Sequence, residues 1–234
     1  MSKKIDRALY GPSWTEVFFG ALLSIILGVV LAGVYLATKP VQVVKELPKE
    51  LGADVVYYIE GSRDSNKGRQ WKAKHQLLVA GKSVVVSEDE LNTAVGALAA
   101  PAVKPSTPAK PPVDPKKPEE AVGLMPTLVA GALNFRIRDN AMQISVPVSV
   151  TALSLGATVL VQSTGGFVQD GDHFAYKPDT LLVGSLPVQR IPFLSSYVMS
   201  KFFTAESVPA DIAGAWQRLA NVTVEGAQLK LQAP

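Results

Sequence analysis

The sequence contains no cysteine and only two histidines, and these absences exclude several kinds of site. Without cysteine there is no disulfide framework, no thiolate metal site and no cysteine nucleophile. His75 and His173 stand far apart, and neither has a second ligand at metal-binding spacing, so neither metal nor cofactor is expected. The GxSxG, P-loop, HExxH and GxGxxG motifs do not occur. We therefore expect a protein that is not an enzyme.

The composition also limits the partners. The net charge is +3 at pH 7, and the basic residues do not form a stripe with interleaved aromatic residues, so binding to nucleic acid is not expected. A length of 234 residues leaves room for one membrane anchor and one domain of ordinary size.

Residues 17–37 form a long uncharged run, VFFGALLSIILGVVLAGVYLA. At about 1.5 Å per residue, a helix of this length crosses about 30 Å of hydrocarbon. A cleaved signal peptide and a buried core helix are the alternatives. The small-x-small site at Val30-Leu31-Ala32 lies inside the run rather than after it, and a core helix rarely runs this long without a charge. The run predicts an uncleaved transmembrane helix.

The flanking residues set the orientation. Three basic residues precede the helix and three follow it, so the positive-inside rule alone does not decide. The leader, residues 1–16, is short, and the long part after a first anchor is usually translocated. We therefore expect the N-terminus inside, with a juxtamembrane connector (residues 38–54) and a domain (residues 55–234) outside.

Two sets of residues are candidate contact positions. Small residues recur at every fourth position of the helix and would let a second helix approach closely, namely Gly20, Ser24, Gly28 and Ala32. Basic residues on the helix predicted over residues 65–80 would contact anionic headgroups, namely Lys67, Arg69, Lys72 and Lys74. Each set has a plainer explanation, since small residues are common in membrane helices and a charged helix face is usually solvated.

The first half of the outer domain is predicted to contain one short strand and two helices. Residues 55–59 are β-branched and aromatic, as in a strand. Ser87 and Glu90 form a capping box before a helix over residues 88–99. Asn92 on that helix is either a buried hydrogen-bonding residue or an exposed one. The proline-rich residues 101–120 predict a disordered insertion within one fold.

From Leu133 onward the pattern indicates antiparallel strands, with a tight turn at Asp139-Asn140. Residues 142–150 alternate between apolar and polar side chains, which predicts one dry and one wet face. Pro147 on the wet face predicts an edge strand or a bulge. Gly165-Gly166 predicts a bend or a bulge in the next strand. Two amphipathic helices follow, opened by Pro192 and Pro209, before a final hairpin. The predicted fold is α+β, a curved antiparallel sheet packed with amphipathic helices.

Two short motifs resemble a known family. Residues 87–92 (SEDELN) and residues 184–188 (GSLPV), with the alternating strand over residues 140–150 between them, are similar to motifs of YpmS-like membrane-anchored envelope proteins. More loosely, the chain resembles lipid-binding proteins of the LmeA type. The resemblance implies one N-terminal anchor, a small outer domain and no catalytic residues. The proline-rich insertion and the helix around Trp71 depart from the pattern.

The sequence thus predicts a single-pass protein of a bacterial cytoplasmic (inner) membrane, with its domain outside. The leading hypothesis is a non-catalytic outer domain that binds lipid or another apolar ligand in a groove or on the dry face of its sheet. The alternative is a membrane-tethered scaffold or assembly subunit that binds protein partners through the small-residue positions of the transmembrane helix and through the proline-rich loop, or that associates with itself through the helix.

Overall fold

The computed structural model describes residues 13–50, 52, 55–99, 127–152, 155–203 and 208–234. The helices are α1 (Trp14–Thr38), α2 (Ser65–Gly68), α3 (Gln70–Val79), α4 (Glu88–Ala99), α5 (Pro192–Phe202) and α6 (Ala210–Trp216), with a 3-10 turn at Val188–Arg190. The strands are β1 (Gln42–Val43), β2 (Tyr57–Tyr58), β3 (Val84–Ser87), β4 (Thr127–Ala130), β5 (Asn134–Arg138), β6 (Ala141–Ala152), β7 (Leu155–Asp170), β8 (His173–Val183), β9 (Leu186–Pro187), β10 (Asn221–Glu225) and β11 (Gln228–Gln232). Most of the predicted leader and the whole proline-rich insertion, residues 101–120, lie outside the described residues.

Helix α1 contains the predicted apolar run and extends it at both ends. Its first turn is closed by a capping box, in which the Ser13 hydroxyl accepts from the Glu16 N–H and the Glu16 carboxylate accepts from the Ser13 N–H. Within the described residues, this is the one helix long and apolar enough to cross a membrane. A signal sequence would meet the same criterion.

A long antiparallel sheet forms the body of the domain, in the order β4-β6-β7-β8-β9, with β5 pairing on the same side of β6 as β4. Asp139 and Asn140 both adopt positive φ, 54° and 62°, and make the predicted tight turn between β5 and β6. The β7–β8 register shifts between Thr164 and Gly165, at the predicted place, but the extra residue is Asp179 on β8, since Thr164 pairs with Thr180 and Gly165 with Pro178. Strand β7 is continuous past Gly165-Gly166, so the irregularity predicted there lies in the partner strand.

Pro147 neither lies on an edge strand nor forms a bulge in β6, contrary to the prediction. Strand β6 has β7 on one side and β4 followed by β5 on the other. Pro147 falls between the segments paired with β4 and with β5, where its carbonyl accepts from Gly131 N–H at 2.7 Å. A proline is tolerated inside the sheet because its missing N–H coincides with the break in the neighbouring chain.

A second sheet has the order β10-β11-β3 and is antiparallel throughout. Strand β3 precedes residues 101–120 and β11 follows them, so the segments on both sides of the insertion share one sheet. The valine run of β3 was not identified from the sequence. Strand β1 lies in the connector and pairs in parallel with β2, which is shorter than the predicted strand.

The single helix predicted over residues 65–80 is divided into α2 and α3. Gly68, at the break, lies against α4, where an added Cβ would approach the Thr93 hydroxyl oxygen to 2.0 Å. The helix over residues 88–99 is confirmed as α4, and the helix opened by Pro192 as α5.

The dry face of the long sheet is covered along its length. At one end it packs against α5 and the 3-10 turn in a cluster of Val146, Val148, Val161, Leu181, Val188 and Val198. At the other end, Ile137, Met142 and Ile144 pack against α3, α6 and the second sheet. Helices on an antiparallel sheet confirm the α+β architecture. Ser145, predicted on the wet face, is 1% exposed because Tyr58 covers it, the two hydroxyls lying 2.8 Å apart.

Candidate functional site

The C-terminal end of α1 lies directly against the long sheet, at β7 and β9. The N–H of Ser185, in the β8–β9 turn, donates to the Leu36 carbonyl at 3.0 Å, and the N–H of Gly184 donates to the Leu160 carbonyl at 2.8 Å. The last carbonyls of a helix have no partner within the helix, so the turn satisfies one of them. Gly184 has φ +59°, and a Cβ there would lie 2.1 Å from the Ala37 carbonyl oxygen. The turn therefore fits the helix end closely only with glycine at residue 184.

This contact defines one end of the long sheet, which we call the α1-proximal end: β4, the last residues of β6 and the first residues of β7. Strand β7 pairs with β8 only from Val161 onward, so its earlier residues project beyond the end of β8. Charged residues are absent from the sequence between Glu120 and Arg136 and between Asp139 and Asp170. Val129 is 59% exposed and Leu128 41%, and Ala157 and Thr158 are exposed as well. An uncharged and partly apolar surface thus lies next to the apolar helix.

The SEDELN segment forms a buried polar network rather than an open site. The Glu88 carboxylate accepts from the N–H groups of Ser62 and Ile137, the latter at 2.9 Å. The Glu90 carboxylate accepts from the Ser87 N–H at 2.8 Å, which confirms that half of the predicted capping box. Asn92 is fully buried and bonds to the backbone of Ser62 and Phe135. These side chains tie α4 to the chain before α2 and to the free edge of β5.

Asp89 belongs to the same network. Its burial would raise the pKa of the carboxyl, but hydrogen bonds from the Ser62 hydroxyl and the Asp64 N–H, with the charge of Lys67 nearby, hold the pKa below its usual value. The ionised carboxylate is therefore the stable form in the folded protein. The network is satisfied internally, and we assign it a structural role.

The four basic residues predicted to contact headgroups have different surroundings. Lys74 lies 2.7 Å from a Glu90 carboxylate oxygen and donates to the Val85 carbonyl, and Lys67 lies 3.8 Å from Asp89. Arg69 and Lys72 are exposed. Leu78, on the same helix as Lys74, packs with Met142 at the end of the sheet away from α1. The headgroup contact of these residues stays a prediction.

The small residues of α1 lie on its exposed surface. Gly20, Ser24, Gly28 and Ala32 are all exposed, and no atom lies within 4 Å of a Cβ built on Gly20 or Gly28. The Ser24 hydroxyl donates to the Gly20 carbonyl at 2.8 Å. The positions are open to a second helix, and self-association through them stays a prediction.

The domain has two open clefts. One, of about 410 Å³, is lined by charged residues including Lys45, Glu60 and Arg138, and Ser62 and Glu88 of the polar network form part of its wall. The other, of about 460 Å³, lies between the β7–β8 hairpin and α5. Over the described ranges, no group of three or more histidine, cysteine or carboxylate side chains is close enough to hold a metal ion. His173 is exposed beside the β7–β8 turn, and His75 Nε2 lies 3.0 Å from Asp211.

Because of Tyr176, the free energy of unfolding of the domain depends on pH in the alkaline range. Its hydroxyl donates to the Met142 carbonyl at 3.0 Å and accepts from Ser163 at 3.1 Å. Burial raises the pKa of Tyr176 to about 12, with Asp179 adding to the rise and Ser163 opposing it. In the unfolded chain the tyrosine hydroxyl has a pKa near 10. Between about pH 10 and pH 12 the unfolded state therefore binds fewer protons than the folded state. The free energy of unfolding then falls by about 1.4 kcal/mol for each pH unit of increase.

We expect the Tyr176→Phe variant to lose less stability than the unaltered protein between about pH 10 and pH 12, although the variant is less stable at pH 9. Denaturant titrations of both proteins at pH 9, 10, 11 and 12 would measure the difference. Identical slopes would show that Tyr176 does not ionise on unfolding. Tyr58, whose pKa burial also raises, contributes to both proteins alike.

No protein-family model matches the chain, and no curated protein matches it either. The uncharged character of the α1-proximal end was not recognised from the sequence, although the charge-free stretches were visible there. The missing information was that β4, β6 and β7 are neighbours in one sheet and that β7 contacts the end of α1.

Proposed function

We propose that the protein is a non-catalytic, single-pass protein of a bacterial cytoplasmic membrane, with α1 as an uncleaved anchor and the outer domain binding membrane lipid. The observation that carries the proposal is the hydrogen bond from the Ser185 N–H to the Leu36 carbonyl. It supports a position of the α1-proximal end beside the outer end of the anchor, at the surface of the bilayer.

The composition of this end supports contact with lipid. Burying an unpaired charge in an apolar environment is costly, and the strands of this end carry none. The outer edge of β4, and the edge of the first β7 residues that faces away from β6, have no neighbouring strand among the described residues. Unpaired backbone groups are not tolerated in hydrocarbon. We therefore expect this end to lie among the headgroups, where water and polar lipid groups are available.

The filled core supports a surface site rather than an internal one. Fully buried side chains of β6, β7 and β8 pack against α5 and the 3-10 turn on the dry face of the sheet. A lipid molecule enclosed between the sheet and its helices would have to displace them. The dry-face groove considered from the sequence is thus replaced, in this proposal, by contact at the α1-proximal end.

A spin-label measurement tests the proposal on the full chain in lipid nanodiscs. Because the protein has no cysteine, Ala157→Cys and Asp172→Cys each give one labelled site, at the α1-proximal end and at the β7–β8 turn at the opposite end of the sheet. Oxygen concentrates in lipid, whereas a nickel chelate stays in water. We expect the oxygen-to-nickel collision ratio at residue 157 to exceed that at residue 172, because the chelate reaches a headgroup-level site less readily than a water-exposed one. The label at residue 172 should behave as in water.

Residues 157 and 172 are both exposed, so neither label should disturb the core. Water-like accessibility at both positions would contradict the lipid proposal. That result would leave the tethered scaffold as the working hypothesis.

A further inference from the structure

Helix α5 carries the two most exposed aromatic side chains of the described outer domain. Phe193 is 79% exposed and Tyr197 is 55% exposed. They are four residues apart and share one face of the helix. The opposite face packs inward through Leu194, Val198 and Phe202. The pair points outward because of the helical period, and the two side chains do not help to fill the core.

The location of α5 links this aromatic face to the anchor. The helix follows the β8–β9 turn, which bonds to Leu36, with only β9 and the 3-10 turn between them. It covers the half of the sheet next to α1, since Val198 packs with Val148 and Val161. The aromatic face is thus held by the same part of the fold that contacts the end of α1.

The charged residues on α5 and next to it in the sequence are basic. Acidic residues are absent from the sequence between Asp179 and Glu206, whereas Arg190 precedes the helix, Lys201 lies in its last turn, and both are exposed. Asp170 lies across the cleft lined by Ser195, Ser196 and Met199, on another side of the helix from the aromatic pair. Aromatic residues with basic neighbours are typical of protein surfaces at the level of lipid headgroups, where rings lie at the apolar boundary and cations meet phosphate.

We propose that the outer face of α5 is a second membrane contact, with Phe193 and Tyr197 inserted at the headgroup level and Arg190 and Lys201 beside lipid phosphates. The inference rests on the proposed function, because it requires α1 to be a membrane anchor. Its occupant is the bilayer surface rather than a single enclosed lipid. Together with the contact at the α1-proximal end, the α5 contact would fix the tilt of the domain relative to the membrane.

The test uses the full chain in nanodiscs of phosphatidylcholine and phosphatidylglycerol, with Phe193→Cys spin-labelled. Leu77→Cys is the matched control, because Leu77 is also an exposed apolar helix residue, 41% exposed, but lies on α3 at the other end of the sheet. We expect the oxygen-to-nickel accessibility ratio at residue 193 to exceed that at residue 77 several-fold. Omitting the anionic phosphatidylglycerol should reduce the difference.

The outcomes separate the two proposals. If residue 157 reports lipid but residue 193 is as accessible to nickel as residue 77, the α5 contact is wrong and the proposed function stands. If residues 157 and 193 both report water, both are wrong. A label at residue 193 shielded from oxygen and nickel alike would indicate a protein surface instead, and would also overturn the α5 contact.

Discussion

Replacing Gly184 with alanine is expected to detach the domain from the end of α1. The residue has φ +59°, and a Cβ would lie 2.1 Å from the Ala37 carbonyl oxygen and 3.2 Å from the Leu36 carbonyl oxygen. Both obstacles are backbone atoms, which no side-chain rotation can move aside. The β8–β9 turn must therefore shift, and the hydrogen bond from Ser185 to Leu36 is lost with it.

Gly226→Ala is the matched control for this change. Gly226 has φ +60° in the β10–β11 turn, with no atom within 4 Å of a built Cβ. Both variants bear the strain of alanine at positive φ, roughly 1–2 kcal/mol. Only Gly184→Ala adds a collision with α1, so only it should change the orientation of the domain.

The distance between labels on α1 and on the domain measures that orientation. Labels at Tyr35→Cys and Asp172→Cys, both exposed positions, allow pulsed electron resonance on the full chain in nanodiscs. We expect a narrow distance distribution for the doubly labelled protein that keeps both glycines and for its Gly226→Ala variant. For the Gly184→Ala variant we expect a broad distribution. A narrow distribution in all three would mean that the turn does not hold the domain in place.

The sequence predicted the elements that local rules determine. The uncharged run identified α1, the SEDELN capping signal identified α4, and the Asp139-Asn140 pair identified the β5–β6 turn. Each of these signals lies within a few residues of the element that it specifies. Gly165-Gly166 indicated the position of the bulge but not its strand, because the extra residue, Asp179, lies on β8 opposite Gly165.

The features that the sequence did not predict depend on contacts between distant residues. Pro147 indicated an edge strand because nothing local shows that the neighbouring chain breaks opposite it. The valines of β3 pair with β11, at the far end of the chain. The α1-proximal end depends on the pairing of β4, β6 and β7 and on the contact of β7 with α1, which periodicity cannot reveal.

Asn92 is the position at which the sequence left two explanations open, and the structure distinguishes them. The side chain is fully buried. Its amide nitrogen donates to the carbonyls of Ser62 and Phe135 at 2.8 and 2.7 Å, and its amide oxygen accepts from the Phe135 N–H at 2.7 Å. Asn92 therefore pairs with β5 as a neighbouring strand would, on the edge that β6 does not occupy.

Replacing Asn92 with leucine is expected to destabilise the domain by about 3 kcal/mol or more. The change leaves the N–H and carbonyl of Phe135 without partners beside a fully buried side chain, at roughly 1–3 kcal/mol each. That loss is a large fraction of the 5–15 kcal/mol that stabilises a typical domain. Denaturant titration followed by the fluorescence of Trp71 and Trp216, which pack against the core next to α4, would measure it.

Two further variants separate the hydrogen bonds from the packing at Asn92. Asn92→Asp keeps the size and one acceptor but places a negative oxygen against the carbonyls of Ser62 and Phe135, so we expect it to be as destabilising as leucine. Asn66→Leu, on the exposed surface of α2, should change stability by no more than about 0.5 kcal/mol. A mild effect of Asn92→Asp would mean that Asn92 acts mainly by filling space. A severe effect would show that its amide holds α4 against the edge of β5, as the hydrogen bonds indicate.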